Sequence, residues 1–258
     1  MDKLNGLIGF FDILGYKNFL NNNNVIENAQ KTLKIVNSVP RKSINVLENI
    51  VKKRKGGSKV DSTDWEELNS ISKQLKTIIF SDTIVFFLPL RVSEYQDNEA
   101  RKAMIFVSAY FTKEMFVNGL PIRGALHEGD YLIEENCFAG KGIIDAFNLC
   151  ESLDFTGVAC TQTFYKNALE NEGMEKIKKL TFEYLTPKKE GEEKHLNLNW
   201  LKFLSEDQFN ECKNDVEQFV LKSFWDHNKD CSNSVDLKIQ NSVKAIRKMI
   251  LDKEDKKL

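Results

Sequence analysis

The segment Gly6 to Gly15, GLIGFFDILG, restricts the fold more than any other stretch, because it sets a single aspartate, Asp12, inside an apolar, strand-forming run. A second run, IIFSDTIVFF, does the same with Asp82. An aspartate in the middle of a buried strand loses solvation worth several kcal/mol unless donors or a metal ion replace the water. Two short carboxylates brought together from neighbouring strands make a hard-oxygen site that suits Mg²⁺ or Mn²⁺ and leaves positions for phosphate oxygens. Local chemistry offers an alternative for each: Asp12 as the cap of a helix starting near Gly15, and Asp82 as a turn residue with Ser81. Spacing alone leaves both readings open.

Taken in order, residues 4–12 form a buried strand, Gly15 opens a helix carrying Tyr16, Phe19 and Leu20, and the run Asn21 to Asn24 breaks it. A second helix spans 25–38, with Val25, Ala29, Leu33 and Val36 as its stripe, and stops before Pro40. Residues 41–75 turn polar and basic around Lys52-Lys53-Arg54-Lys55-Gly56-Gly57-Ser58, which reads as a solvated loop between amphipathic segments; its flanks lack the interleaved aromatics of a nucleic-acid surface. Two strands meet at Ser81-Asp82 within 76–90, and a strong helix covers 97–117. Strands follow at 121–128 and 130–133, then a helix at 139–153, a strand at 158–161 and a Lys- and Glu-rich helix at 162–172. Two edge strands, 180–185 and 194–200, flank a turn at Pro187 to Gly191. The charged tail beyond 203 is helical, with Phe209, Val216, Phe219, Val220, Phe224 and Trp225 as its apolar stripe. This order predicts an α+β sandwich, an antiparallel sheet covered on one face by helices.

A chain of 258 residues is long enough for a sizeable core, and 29% charged residues with a net charge of −1 leave no global field that would favour nucleic acid or an anionic membrane. Cys137, Cys150, Cys160, Cys212 and Cys231 are scattered and odd in number, the pattern of reduced, mostly buried thiols. No Cys-x-x-Cys or His-x-x-x-His suggests zinc, and the first apolar run is too short for a signal peptide. The expected protein is cytoplasmic and needs neither membrane nor nucleic acid.

Three motifs resemble those of class III nucleotide cyclase catalytic domains. Phe11-Asp12-Ile13-Leu14-Gly15 looks like the first metal motif of that family, and Phe80-Ser81-Asp82 with its following strand resembles the second, with Ser-Asp for Gly-Asp. Arg123-Gly124-Ala125-Leu126-His127-Glu128-Gly129 is similar to the Arg-x-Gly-x-His-x-Gly strand. The segment Gly140 to Glu151 resembles the corresponding helix in the pyrimidine cyclases of the bacterial Pycsar anti-phage system, as does the Leu-Asn-Trp strand at 198–200.

The resemblance implies a ferredoxin-like core over residues 1–202, with 41–75 as a helical insertion, and a C-terminal helical extension over 203–258. It implies two Mn²⁺ or Mg²⁺ ions per site, held by Asp12, Asp82 and the carbonyl of Ile13. Nucleotide and phosphate contacts would come from Phe11, Leu14, Gly15, Tyr16, Arg123 and Lys188 (or Lys189), with Asn148 as the catalytic asparagine. Ile78 and Lys141 stand where purine cyclases read their base, and a lysine at 141 can donate to a uracil carbonyl but cannot accept from an amine. Ser152 stands where the family has a transition-state arginine. His127 reads as a core histidine. The implied activity is uridylate cyclase: UTP to 3′,5′-cyclic UMP and pyrophosphate, in a homodimer with composite sites, signalling to a separate effector. Cytidylate cyclase, adenylate or guanylate cyclase, and an inactive nucleotide-binding domain are the alternatives.

Overall fold

The computed structural model describes residues 4–21, 25–55, 70–71, 73–90, 94–135, 137–169, 178–224 and 233–255. Most of the expected break at Asn21 to Asn24, the Gly56-Gly57-Ser58 end of the basic run, most of 56–75, the last residues of the helix expected at 162–172, Trp225, Cys231 and the final three residues lie outside them.

Strand β1 (Leu4–Ile13) lies inside an eight-stranded sheet among the described residues. It pairs antiparallel with β3 (Thr83–Pro89) on one side and β4 (Ile122–Glu134) on the other. The order continues outward from β3 to the edge strand β2 (Lys76–Phe80), and from β4 through β6 (Gly157–Cys160) and β8 (Glu192–Leu198) to β7 (Thr181–Pro187). Strand β5 (Cys137–Ala139) pairs with the far end of β4. All pairings are antiparallel except β4 with β6, so the sheet is mixed rather than wholly antiparallel.

A strand paired on both sides and covered on both faces reads as a near-continuous apolar run, and β1 shows why. The ring of Phe11 meets Phe86 and Phe111 at centroid distances of 5.0 and 5.1 Å, under helix α3 (Glu94–Val117). Phe10, pointing the other way, meets Phe147 at 5.5 Å on helix α4 (Lys141–Ser152). Helices therefore lie on both faces, not on one as the element order suggested. Between α3 and the first strand come α1 (Tyr16–Asn21) and α2 (Val25–Lys55), the latter packed against α3.

Several boundaries move. Helix α2 runs through Pro40. A proline inside a helix costs about 3 kcal/mol, but Pro40 is buried together with Val36, Val39 and Ser43, and Ser43 Oγ donates to the Val39 carbonyl at 2.9 Å. The buried stripe is Thr32, Val36, Val39 and Ser43, while Val25 and Leu33 face outward. Residues 41–55, the start of the expected helical insertion, continue α2, so the Lys52 to Lys55 part of the basic run is helix and not loop. Strand β4 passes through Gly129 without a break, because β1 pairs with it up to Tyr131 and β5 takes over beyond. Of the two supposed edge strands only β7 is an edge, and Trp200 opens a 3₁₀ turn (Trp200–Phe203) instead of ending a strand.

Helix α5 (Gln162–Leu169) follows β6, and the tail forms α6 (Glu206–Asn214), α7 (Val216–Ser223) and α8 (Asn233–Asp255). The tail shares the main core: Phe219 stacks at 5.3 Å on Phe116 of α3. From α8, Asn241 Nδ2 donates to the Asp154 carbonyl at 3.0 Å, and Ser242 Oγ accepts from the Thr156 amide at 2.9 Å. These bonds fix the segment after α4.

Gly124 opposes Phe11 in the β1–β4 register, and a Cβ there would lie 2.5 Å from Phe11 Cδ1 and 3.0 Å from the Phe10 carbonyl oxygen. Overpacking of this kind costs about 1–3 kcal/mol. Gly124→Ala should therefore lower the unfolding free energy by that amount, read as a lower urea midpoint with an unchanged m-value; a midpoint equal to that of the unmodified protein would show that the Phe11 ring has room to move.

Candidate functional site

At the end of β1 away from its first residue, the sheet brings the sequence-predicted residues to one place. Asp12 sits opposite Thr83 of β3 and Arg123 of β4. Ser81 and Asp82 form the two-residue turn between β2 and β3, with Ser81 in the left-handed region at φ 57°. The Asp82 carbonyl accepts from the Ile13 amide at 3.1 Å, which docks the turn against the end of β1. Asp82 is thus a turn residue and also a neighbour of Asp12. Asp12 is not a helix cap: it lies within β1, and its Oδ2 accepts from Arg123 Nε at 2.9 Å and lies 2.9 Å from Nη2 in an ion pair.

Arg123 is the hub. Its Nη1 donates to the Glu151 carbonyl at 2.9 Å and more weakly to that of Leu153 at 3.4 Å, and its Nη2 bonds Glu151 Oε1. Glu151 Oε2 in turn lies 3.3 Å from Lys189 Nζ. Buried beneath, Cys150 Sγ contacts the Arg123 carbonyl at 3.6 Å.

The electrostatics follow from this crowding. Burial raises the Asp12 carboxyl from 3.8 to about 6; Arg123 pulls it down, but Asp82 and Glu151 push it up again. Burial works against the charge of Arg123, yet Asp12, Cys150 and Glu151 outweigh it and hold the guanidinium more firmly protonated than usual. Burial pushes the Cys150 thiol far up, so it is inert. Tyr16, half-buried in the turn after β1, has its phenol raised by burial and by Asp82.

Other candidates stand elsewhere. The Phe11 side chain lies on the opposite face of the sheet under α3, and Leu14 is buried with its amide donating to the Pro121 carbonyl at 2.9 Å, so both serve packing. Gly15, at φ 70°, supplies the left-handed turn that lets α1 begin, but α1 has only six residues and a correspondingly short row of amides. Lys188 is occupied by Glu193 at 2.6 Å; the lysine that reaches the site is Lys189. Ile78 is half-buried on β2, on the same sheet face as Asp12 by register. Lys141 is 81% exposed and ion-pairs with Asp145 at 2.8 Å one helical turn on. Asn148 lies on the exposed side of α4. His127 is buried as expected, its Nδ1 3.0 Å from Thr161 Oγ1, and burial lowers its pKa.

Sequence reasoning missed two residues, Glu151 and Asp145: the fold sets Glu151 against Arg123, and Asp145 pairs with Lys141 one helical turn back. Lys189 stood open beside Lys188 because the sequence does not set the direction of the turn that carries both.

Among the described residues no group of three His, Cys, Asp or Glu side chains is placed to hold a metal. What stands there is a pair, Asp12 and Asp82, beside the backbone of Ile13. Hard oxygens in a cluster whose three carboxylates are not neutralised by one guanidinium fit a cation such as Mg²⁺ or Mn²⁺, which brings water and phosphate ligands of its own. Among the described residues no helix is long and apolar enough to cross a membrane.

No family model matches the chain, and no curated protein matches it. Among solved structures, the catalytic core of a rhodopsin-guanylyl cyclase with converted specificity, in complex with ATPαS, is similar at 12% identity over 76% of this chain and 96% of that one, with a TM-score of 0.41. A likeness of that size supports neither a family nor a chemistry for this chain.

The Asp12 shift has a sign that can be tested. A carboxyl whose folded pKa lies above its unfolded value contributes stability that is full below the unfolded pKa and lost as pH rises through the folded one. Between pH 4 and pH 7 Asp12 should therefore cost the fold up to about 3 kcal/mol. Relative to the unmodified protein, Asp12→Asn should gain stability steadily over that range in urea titrations. A constant difference between the two proteins would mean that Arg123 neutralises Asp12 fully.

Proposed function

We propose that this chain is a metal-dependent nucleotide cyclase acting on a pyrimidine nucleoside triphosphate, converting UTP to 3′,5′-cyclic UMP and pyrophosphate as an anti-phage signal for a separate effector. The observation that carries the reading is the meeting of Asp12, Asp82 and Arg123 at one end of the central strands, with Lys189 beside them. The motif resemblance names the same residues from sequence alone. Bound ions would be held by Asp12, Asp82 and the Ile13 carbonyl, and would supply activation of the ribose 3′-oxygen and neutralisation of the phosphates.

In the reaction the 3′-oxygen attacks the α-phosphorus and pyrophosphate leaves, so the chain's task is positioning and charge. Arg123 offers a planar fork suited to phosphate oxygens, and Lys189 offers a mobile point charge from the β7–β8 turn. Asn148 is exposed on α4, and its neighbours Ile144 and Phe147 are 57% and 44% exposed. That surface suits a second copy of the chain, which would set Asn148 of one protomer against the carboxylates of the other.

Base choice rests on Lys141. A lysine alone favours a uracil carbonyl, but its pairing with Asp145 adds acceptor oxygens that an exocyclic amine could use. Cytidylate cyclase is therefore the nearer alternative. One observation favours an inactive nucleotide-binding domain: Ser152, where the family has its transition-state arginine, turns its hydroxyl back to the Leu149 carbonyl at 2.8 Å.

Incubation with Mn²⁺ and each ribonucleoside triphosphate should give cyclic UMP as the main product. Equal turnover of ATP and UTP would reject pyrimidine selectivity, a CTP preference would reject the role given to Lys141, and no product from any of the four would favour the inactive reading. Asp12→Asn and Asp82→Asn should each lower turnover at least about a hundredfold with the fold intact. An equal mixture of Asp12→Asn and Asn148→Ala chains should regain activity through one intact composite site per dimer. Silence of that mixture, with subunit exchange demonstrated, would place the whole site in one protomer.

A further inference from the structure

Glu151 occupies both cations that the triphosphate reading needs. Its Oε1 bonds Arg123 Nη2, its Oε2 lies 3.3 Å from Lys189 Nζ, and its backbone carbonyl accepts from Arg123 Nη1 at 2.9 Å. Asp12 takes Arg123 from the other side, through Nε and Nη2. The outward half of the guanidinium and the ammonium are thus joined through a single carboxylate.

A carboxylate and a phosphate present the same kind of acceptor to these groups: two anionic oxygens about 2.2 Å apart that a planar fork can engage side by side. One N–H hydrogen cannot serve both at full strength, so an incoming phosphate competes with Glu151 for Arg123 Nη2 and for Lys189. The contacts differ in what it takes to break them. Asp12 is fixed in a strand between two others, whereas Glu151 lies in the last turn of α4 with its side chain 36% exposed, and Lys189 is 50% exposed. Glu151 can swing to solvent; Asp12 cannot.

We infer that Glu151 is a built-in stand-in for the substrate's phosphate, a carboxylate that holds Arg123 and Lys189 in the empty site and is displaced when a triphosphate binds. The inference rests on reading this cluster as a triphosphate site. It makes Glu151 a residue that weakens substrate binding while keeping two cations from repelling each other.

Inorganic tripolyphosphate tests this without any ribose chemistry. In calorimetric titrations with Mg²⁺ present, Glu151→Gln, which keeps the shape and removes the charge, should bind tripolyphosphate about tenfold more tightly than the unmodified protein. Under turnover the same change should lower KM for the nucleotide more than it changes kcat. Unchanged or weaker tripolyphosphate binding would overturn the inference, since a carboxylate that merely positions Arg123 would be missed on removal. Absence of binding to both proteins would overturn it too. Tighter binding without cyclisation of any nucleotide would uphold the inference and sink the cyclase reading, while unaltered binding in an active cyclase would do the reverse. A crystal structure of the unmodified protein with tripolyphosphate gives a second measure that needs no variant. Glu151 should be turned away from Arg123; a carboxylate still on Nη2 with phosphate bound elsewhere would refute its displacement.

Discussion

The fold closes around the guanidinium of Arg123. One side chain bonds the carboxylate of β1 through Asp12, the last turn of α4 through the Glu151 carbonyl, and the segment beyond it through Leu153. Donors aimed at the final carbonyls of a helix also meet its negative end. A buried ion pair is by itself weak support for stability, because desolvation offsets much of the attraction. Its more secure effect here is geometric: with either anion removed, a buried cation would be left partly unpaired, and with Arg123 removed, two carboxylates would face each other.

That arrangement depends in turn on the packing of one aromatic ring. Gly9 and Gly124 leave space for Phe11, where added Cβ atoms would come within 2.9 and 2.5 Å of the ring. With Phe11 seated between Phe86 and Phe111, the pleat obliges the next residue to point to the other face. Asp12 therefore faces α4 because Phe11 faces α3. Further out, Asn241 and Ser242 of α8 hold the segment Asp154–Thr156, whose first neighbour Leu153 bonds Arg123 and bridges to Lys188 of the β7–β8 turn. The C-terminal helix is thus linked through backbone contacts to the turn that carries Lys189.

Much of this could be read from the chain. The strands announce themselves by apolar runs, the Ser81-Asp82 turn by its residue types, and the candidate pair by the cost of an aspartate in a strand. The reading failed where tertiary contact overrules local preference. Pro40 should stop a helix, yet α2 continues because Pro40 lies on its buried stripe with Val36, Val39 and Ser43. The stripe of α2 was misplaced because Thr32 and Ser43 face inward while Leu33 faces outward, an inversion that hydrophobicity alone cannot disclose. Gly129 resembles a strand break but lies where β1 still pairs with β4. Within the site, Asp12, Asp82 and Arg123 were legible because each sits oddly in its segment. Glu151 was not, and Lys189 was only an alternative to Lys188, since charged residues on a helix end and in a turn are unremarkable until the fold brings them within 3.3 Å of each other.

The charges of the cluster constrain how it can work. Asp12, Asp82 and Glu151 are opposed by Arg123 and Lys189, which leaves one negative charge in excess at neutral pH. A nucleoside triphosphate carries several negative charges of its own, so these residues alone would bind it poorly. A divalent cation alone would meet a different obstacle, because Arg123 already occupies Asp12 Oδ2. On the proposed reading each would remove the other's obstacle: phosphate would compete for Arg123 and Lys189, and the carboxylates so released would be available to hold the cation. Binding free energies coupled in this way are reciprocal. A site built on shared rather than spare charges would therefore hold nucleotide and metal together far better than either one, and Glu151, partly exposed on the last turn of α4, is the carboxylate proposed to move as they enter.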